Sequence, residues 1–214
     1  MENLKVALFD MDGVIVDTEP IYDLFWKDAG ERYHTGIENF ADVIKGTTLP
    51  DIIEKYFSSF LPEEVEQLVR EVEAYEATMP LPAMAGSIEF LQELKANGVR
   101  MGLVTSSGQD KVERALALYR LEEVFGTVVS EGRITKGKPN PMCYLLAATD
   151  LNVEPEDCIV FEDSFNGIRA GSAAGMRVIG LSTTNPAESL AGMVHEVIPN
   201  FKGVGFSHYL EWCK

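Results

Sequence analysis

Short apolar runs alternate with stretches of helical periodicity along most of the chain. The first run, over residues 4–9, is too short for an ordinary helix and is typical of a strand buried on both faces, as in a parallel sheet. Strands that alternate with helices predict an α/β fold whose core is a doubly wound, Rossmann-like parallel sheet. Further runs that predict strands cover residues 99–104, 127–129, 158–161 and 177–181.

One long helical segment interrupts this alternation after the first strand. Thr18 is a good N-cap for its first helix, and apolar residues then recur at helical spacing. Two prolines, Pro80 and Pro82, mark the end of the segment. We therefore expect an inserted all-helical domain over residues 18–81, and a core domain formed by residues 1–17 and 82–214.

After the insert, apolar positions at helical spacing predict six further helices. Gly98 stands just beyond the first of them as a stop signal, and Asn185 caps the fifth. The six helices are expected over residues 87–97, 110–118, 141–149, 166–174, 186–193 and 204–212.

The first strand ends in two carboxylates, Asp10 and Asp12, followed by Gly13. Positions i and i+2 of an extended strand face the same side, so both carboxylates are expected at the carboxyl end of the strand, where open α/β sheets bind ligands. Converging carboxylates repel each other and persist where a hard cation or a reaction uses them. A solvated acidic loop is the simpler alternative for an isolated pair. An EF-hand is excluded because glycine follows Asp12 directly and Ile21 stands at the twelfth position.

A second apolar strand ends in the same way, in Glu162 and Asp163. Ser164 then serves as an N-cap of the next helix. Because parallel strands bring their carboxyl ends together, we expect these two carboxylates to converge with Asp10 and Asp12. Oxygen ligands of this kind suit Mg²⁺, with waters and a substrate phosphate completing the octahedron.

Two more segments carry groups that suit an anion. Thr105 and Ser106 follow the strand of residues 99–104, and hydroxyls with free N–H groups ahead of a helix can bind an anion, although such loops often only cap helices. Lys138, between Gly137 and Pro139, can place a point charge on a phosphate, with a solvated loop lysine as the alternative.

The net charge of −16 changes which partners are expected. It argues against binding of nucleic acid and of anionic membrane surfaces, and it means that an anionic substrate needs local cations. The three scattered cysteines form no C-x-x-C pair, which excludes a zinc ribbon or a redox motif. Free thiols and the absence of a signal peptide predict a cytoplasmic protein, and no apolar run has transmembrane length. We expect a monomer.

Four short motifs occur in order along the chain: Asp10-Met11-Asp12-Gly13, Thr105, Lys138-Pro139 and Glu162-Asp163-Ser164. Together they resemble the four motifs of the haloacid dehalogenase (HAD) superfamily. The surrounding residues 9–20, 137–141 and 161–167 resemble its β-phosphoglucomutase-like phosphatase branch. The resemblance covers essentially the whole chain and is poorest in the helical insert.

The resemblance implies a covalent mechanism. Asp10 would attack phosphorus to give an aspartyl-phosphate, and Asp12 would protonate the leaving oxygen and then take a proton from the attacking water. Mg²⁺ would be held by the Asp10 carboxylate, the Asp12 carbonyl and Asp163, with Glu162 in support.

The remaining motifs would bind the phosphoryl group. Thr105 and Lys138 would hold its oxygens and offset their charge in the transition state, with Ser106 as a further contact. The insert would be a cap that closes over the site and excludes bulk water. Lys45 in this cap is a candidate substrate contact, with an exposed lysine as the simpler alternative.

These features predict a Mg²⁺-dependent phosphatase acting on a small phosphorylated metabolite, with sugar phosphates as the leading class. A β-phosphoglucomutase-type mutase is the alternative. Mutases of this branch carry a histidine and an arginine in the cap, where alignment places Tyr22 and Leu49; neither can act as a cation near neutral pH. A non-catalytic phosphate-accepting regulatory module is a minor alternative, which Asp12 disfavours because a general acid serves only turnover.

Overall fold

The computed structural model describes residues 4–214. Its strands form a six-stranded sheet in the order β3-β2-β1-β4-β5-β6, and each strand runs parallel to its neighbours. The chain winds outward on both sides of β1, so the predicted doubly wound α/β fold is confirmed. The strands are β1 (Val6–Phe9), β2 (Met101–Val104), β3 (Thr127–Val129), β4 (Cys158–Glu162), β5 (Arg177–Leu181) and β6 (Glu196–Ile198).

The central strand β1 is buried on both faces. Ala7 and Phe9 pack in one core layer, and Val6 and Leu8 pack in the other. A strand covered on both sides needs apolar residues at every position, which explains the continuous apolar run in the sequence.

Helices cover both faces of the sheet. α5, α6 and α10 pack against the layer that contains Phe9, and α7, α8 and α9 pack against the opposite layer. These helices are α5 (Ser87–Ala96), α6 (Gln109–Tyr119), α7 (Met142–Asp150), α8 (Phe165–Ala173), α9 (Ala187–Leu190) and α10 (Phe206–Cys213).

Four further helices lie between β1 and α5 and have an apolar cluster of their own, built around Trp26, Phe40, Phe57 and Leu68. We call these helices the helical insert. They are α1 (Glu19–Arg32), α2 (Phe40–Ile44), α3 (Leu49–Tyr56) and α4 (Pro62–Thr78). Among the described residues, no helix is both long and apolar enough to cross a membrane.

The two connections between the insert and the rest of the protein run side by side. The N–H of Asp17 donates to the carbonyl of Pro82 at 2.8 Å, and Val16 forms an antiparallel bridge with Ala83. The chain therefore leaves the sheet and returns to it at one place.

The register of the sheet brings polar residues to one edge. Phe9 of β1 pairs with Phe161 of β4, and their rings stack with centroids 4.6 Å apart. Asp10 follows β1 directly, Glu162 is the last residue of β4, and Thr105 follows β2. Because the strands end level, these three residues meet at the same edge.

The structure differs from the sequence prediction near the C-terminus. The helix expected over residues 186–193 is the single turn α9, and the unpredicted strand β6 follows it. β6 has three residues, lies at the edge of the sheet and exposes Glu196, so no apolar run marks it in the sequence. β1 and β2 also begin two residues later than expected, because their first paired residues are Val6, opposite Cys158, and Met101, opposite Ala7.

Candidate active site

A cavity of about 470 Å³ lies between the helical insert and the carboxyl ends of the strands. Its core side includes Asp10, Asp12, Thr105 and Asp163. Its insert side is mostly apolar and includes Trp26, Ile44, Leu49, Ile53 and Val69. The acidic residues Glu19, Asp23, Glu73 and Glu76 and the cation Lys45 lie among them. The sequence-predicted residues Asp10, Asp12, Thr105, Ser106, Asp163 and Lys45 all line this one cavity.

Asp10 is 7% exposed and accepts a hydrogen bond on Oδ1 from Lys138 Nζ at 2.7 Å. Burial raises the pKa of Asp10 to about 7, against the effect of the Lys138 ammonium, which lowers it. The negative charge of Glu162 adds to the rise. A further cation close to Asp10 would favour the carboxylate form.

Lys138 lies between two carboxylates. Its ammonium donates to Asp10 Oδ1 at 2.7 Å and to Glu162 Oε1 at 2.6 Å, and the residue is 2% exposed. Burial opposes the charge, but the two carboxylates raise the pKa of Lys138 well above its ordinary value. Lys138 is therefore a fixed positive charge beside Asp10 rather than a solvated loop residue, and its contact with a phosphate stays a prediction.

Glu162 is fully buried, and protein donors surround its carboxylate. Oε1 accepts from Lys138 and from the Tyr144 hydroxyl, and Oε2 accepts from the N–H groups of Asp163 and Ser164 and from the Ser164 hydroxyl. A Cβ at Gly167 would lie within 3.0 Å of this carboxylate, so only glycine fits there. These five bonds occupy both oxygens, which makes Glu162 a structural support for its neighbours.

Asp163 is 1% exposed and is held from the side of β5. Thr184 donates its hydroxyl to Oδ2, and Asn185 Nδ2 donates to the main-chain carbonyl of Asp163 at 2.9 Å. The predicted helix-capping role of Asn185 is wrong, since α9 begins one residue later and this amide bonds Asp163 instead. Burial, followed by the charge of Glu162, raises the pKa of Asp163 well above its usual range.

Three of the predicted acids form a group that can hold a metal ion. One carboxylate oxygen from each of Asp10, Glu162 and Asp163 lies within 4.8 Å of the others. Gly13, at φ +72°, has no room for a Cβ beside Asp163, so the loop after β1 approaches this group closely. Burial and mutual repulsion raise the pKa values of Asp10 and Asp163, and hard oxygen donors of this kind fit a divalent cation, which would offset the repulsion.

The carboxylate of Asp12 is held apart from this group. Its Oδ1 accepts from the Thr18 hydroxyl and from the Lys111 ammonium, and its Oδ2 accepts from the Ser107 hydroxyl at 2.7 Å. Burial alone would raise the pKa of Asp12, but Lys111 and these hydrogen bonds lower it below its ordinary value. The expected convergence of all four carboxylates therefore holds for Asp10, Glu162 and Asp163 only.

Thr18 and Lys111 act differently from what the sequence suggests. Thr18 precedes α1, but its side chain makes no capping bond to the helix and donates to Asp12 instead. Lys111 belongs to none of the sequence motifs, and its signal is its position four residues after Ser107, on the face of α6 that turns toward the same loop. Ser164, by contrast, accepts from the Gly167 N–H at 3.0 Å, so its predicted N-cap is confirmed.

The loop after β2, which begins with Thr105 and Ser106, forms hydrogen bonds with both the core side and the insert side of the cavity. Thr105 is 2% exposed, and its N–H donates to Val129 at 2.9 Å. The Ser106 hydroxyl donates to the carbonyl of Gly46 in the insert at 3.1 Å, and Asn166 Nδ2 donates to the Lys45 carbonyl at 3.1 Å. The segment between α2 and α3 therefore lies directly on the core side.

Lys45 reaches the cavity but is already paired. Its ammonium lies 3.0 Å from carboxylate oxygens of Asp23 and Asp42 and 4.0 Å from Glu19. Burial and the nearby charge of Asp12 raise the pKa of Glu19 to about 8. The predicted contact of Lys45 with the substrate stays a prediction, because its charge is matched within the insert.

The haloacid dehalogenase-like hydrolase family matches residues 7–181 of the chain. A relative, validoxylamine A 7'-phosphate phosphatase of Streptomyces hygroscopicus subsp. limoneus, is 35% identical over 193 residues, which cover 87% of this chain and 90% of the relative. The β-phosphoglucomutase of Bacillus subtilis (strain 168) is 30% identical over 196 residues, which cover 86% of this chain and 85% of the relative.

A solved structure shows the same fold. The 2.27 Å crystal structure of β-phosphoglucomutase from Clostridium difficile matches with a TM-score of 0.81 at 23% identity, over 98% of this chain and 97% of that chain. The family match, the two relatives and the shared fold agree with the resemblance of the motifs. The chain therefore belongs to the haloacid dehalogenase-like hydrolases, in their β-phosphoglucomutase-like branch, and is a phosphohydrolase.

Proposed function

We propose that the protein hydrolyses a small phosphate monoester, with phosphorylated sugars and similar metabolites as the substrate class, through an aspartyl-phosphate on Asp10. The observation that carries this proposal is the position of Asp10 at the cavity floor, bonded to Lys138 and within 4.8 Å of the Asp163 carboxylate. A nucleophile, a fixed cation and a cation-binding acid thus meet at one point. The phosphatase relative is named for a phosphorylated compound, which supports this class.

Mg²⁺ is the metal that we assign to the acidic group. The carboxylates of Asp10 and Asp163 and the main-chain carbonyl of Asp12 would hold it, while Glu162 supports Lys138 and the segment after β4. When bound, the ion offsets phosphoryl charge and orients the phosphate against the nucleophile.

Two displacements complete the reaction. In the first, a carboxylate oxygen of Asp10 bonds to phosphorus, the ester bond breaks, and Asp12 in its protonated form, which the second step regenerates, gives a proton to the leaving oxygen. In the second, water bonds to phosphorus and gives a proton to Asp12, the bond from phosphorus to Asp10 breaks, and inorganic phosphate leaves. Thr105, Ser106 and Lys138 would hold the phosphoryl oxygens during both steps.

The insert side favours a hydrolase over a mutase. A mutase has to bind a second phosphate on that side, where four carboxylates lie: Glu19, Asp23, Glu73 and Glu76. Lys45 is already paired, and Tyr22 and Leu49 stand where the mutases carry cationic side chains. A second phosphate would therefore meet acidic side chains instead of an unpaired cation.

We further propose that residues 18–81 form a cap domain on a core of residues 1–17 and 82–214, of which residues 1–3 lie outside the described part of the chain. The separate apolar cluster of the insert and its paired connections support this division. Closure of the cap would exclude bulk water from the aspartyl-phosphate.

The free cysteines agree with the expected cytoplasmic location.

A panel of sugar and polyol monophosphates, assayed for phosphate release with Mg²⁺, tests the proposed function. Asp10→Asn keeps the shape of the side chain but removes the nucleophile, so it should abolish release while the folded state survives. EDTA should abolish release by the unmodified protein, and added Mg²⁺ should restore it. Full activity of Asp10→Asn, or activity that EDTA leaves unchanged, would contradict the proposal.

A second assay separates hydrolase from mutase. β-Glucose 1-phosphate is supplied with a catalytic amount of the 1,6-bisphosphate, and glucose 6-phosphate is followed against free phosphate. We expect phosphate release without fast isomerisation. Fast isomerisation with negligible phosphate release would show that the protein is a mutase.

A further inference from the structure

Lys111 is a buried cation that the proposed chemistry does not use directly. Its side chain is fully buried, and it does not line the cavity. Its ammonium donates to Asp12 Oδ1, to the Tyr22 hydroxyl at 2.9 Å and to the Ser107 hydroxyl at 3.2 Å. A buried ammonium is retained only where partners replace the lost water, and here the charged partner is Asp12.

Tyr22 links this lysine to the helical insert. The Lys111 ammonium lies 4.3 Å from the centroid of the Tyr22 ring, and the Tyr22 hydroxyl donates in turn to Glu76. Tyr22 belongs to α1 and Glu76 to α4, so both partners come from the insert. One turn along α6, Arg114 donates to the main-chain carbonyls of Glu76 and Met79, which docks the end of α4 on the same helix.

These contacts form a continuous polar chain from Asp12 through Lys111 and Tyr22 to Glu76. From the described residues, Oδ1 of Asp12 accepts two bonds and Oδ2 accepts one, from Ser107. Lys111 thus binds Oδ1, and Oδ2 keeps more of its capacity to accept hydrogen bonds. Because both oxygens belong to one planar carboxylate, the bond from Lys111 to Oδ1 also fixes the orientation of Oδ2.

We propose that Lys111 is a positioning residue that fixes the Asp12 carboxylate for proton transfer, and that Tyr22 and Glu76 hold Lys111 in place while the insert is seated on the core. This inference rests on the proposed function, since it assigns the two proton transfers to Asp12. Lys111 itself touches no reacting atom. It acts by keeping Asp12 Oδ2 aimed at the ester oxygen and then at the attacking water.

The two steps depend differently on Asp12. p-Nitrophenolate is a good leaving group and departs without a proton, so transfer of phosphate from p-nitrophenyl phosphate to Asp10 does not need the acid. Attack of water on the aspartyl-phosphate still gives a proton to Asp12. A sugar alkoxide needs protonation, so a sugar phosphate needs Asp12 in both steps.

The test uses Lys111→Met in the full chain with Mg²⁺. Release of p-nitrophenolate and of phosphate is followed from mixing with p-nitrophenyl phosphate, beside turnover of glucose 6-phosphate. We expect the first turnover of p-nitrophenolate to stay near the wild-type rate, while steady-state phosphate release falls about 100-fold, as for a lost acid–base group. KM should change far less than kcat. Lys95→Met, at an exposed lysine on α5, is the control and should behave as wild type.

Tyr22→Phe provides a second, milder variant that keeps the ring over Lys111 and removes only the hydroxyl. It should slow phosphate release in the same direction by about tenfold or less, and it should add little to Lys111→Met, since residues in one network are not additive. It also decides the question if Lys111→Met does not fold, which a thermal melt reveals.

Three results would overturn the inference. They are phosphate release by folded Lys111→Met at the wild-type rate, an equal loss in the first turnover and in phosphate release, and a Tyr22→Phe protein indistinguishable from wild type. Failure of the wild-type protein to release phosphate from any substrate would instead refute the proposed function. The two failures are therefore distinguishable.

Discussion

The core side and the insert side of the cavity treat charge in opposite ways. On the core side, two buried lysines pair with the acids that follow or end the strands: Lys138 with Asp10 and Glu162, and Lys111 with Asp12. On the insert side, apolar carbon dominates, and the carboxylates lie partly exposed around a paired Lys45. A rigid set of charges suits the same reaction on any phosphate ester, whereas an apolar wall selects the group attached to it. Mutations on the two sides should therefore differ in kind.

The largest effect is expected from Lys138→Met on the core side. Loss of this charge should lower phosphate release about 1,000-fold, the size typical of lost transition-state charge stabilisation. It should also lower the free energy of unfolding by about 3–5 kcal/mol, because the buried Asp10 and Glu162 lose the cation that they share. Phosphate release and urea unfolding measure the two effects. Lys136→Met, at an exposed lysine two residues earlier, is the matched control. If Lys138→Met lost no more activity than Lys136→Met, the comparison would be contradicted.

The second prediction separates two neighbouring acids. Glu162→Ala removes a supporting residue and should weaken Mg²⁺ binding roughly 10- to 100-fold. Asp163→Ala removes a ligand and should weaken it more than that. Stability should show the reverse order. Glu162→Ala removes one of the two carboxylates that hold Lys138 and leaves the other buried donors to Glu162 unpaired, so it should cost about 3–5 kcal/mol, whereas Asp163→Ala relieves repulsion among the acids. Mg²⁺ titration and urea unfolding of both variants, without metal, provide the measurement. Equal metal affinities would reject the assignment of Asp163 as the ligand.

A smaller effect is expected from the backbone beneath the core side. Gly167→Ala places a methyl group against the Glu162 carboxylate and should destabilise the fold by about 1–3 kcal/mol, as overpacking does. Gly132→Ala meets no atom within 4 Å and should change stability by less than about 0.5 kcal/mol. Thermal unfolding of both proteins tests the pair. A Gly167→Ala protein as stable as wild type would mean that the Glu162 network is loose.

The smallest effect on chemistry is expected on the insert side. Ile53→Ala enlarges the apolar wall and should lower kcat/KM for the best sugar phosphate about tenfold, within the range for a few methylene contacts. The order of substrates in the panel should change, because the apolar wall contacts the group attached to the phosphate. Val43→Ala, at an exposed position of α2, controls for the insert itself. A uniform loss over the whole panel would show that the insert side also carries chemistry.

The sequence predicts the core side well because strand order turns local signals into a common location. Asp10 and Glu162 each mark the end of an apolar run, and parallel pairing of Phe9 with Phe161 is enough to bring them together. The group of Asp10, Glu162 and Asp163 follows from that register.

Other contacts depend on tertiary packing that no local pattern encodes. Thr18 is predicted to be an N-cap, yet its hydroxyl bonds Asp12. A threonine directly before a helix fits either role, so the sequence pattern does not distinguish them. Lys111 reads as a surface lysine on an amphipathic helix, and it becomes a buried partner of Asp12 only through the approach of α1 and α4. The strand β6 is missed because three residues at a sheet edge are too few to show a period.

The paired connections at Asp17 and Pro82 have a consequence for how such proteins diversify. Because both ends of the insert emerge at one place, its length and sequence can change without separating any two strands of the sheet. Selection can then act on the insert as an exchangeable part, while the residues that perform the reaction are inherited unchanged. A lineage of such proteins can acquire new substrates by replacing one contiguous stretch of gene, without inventing the catalytic chemistry again.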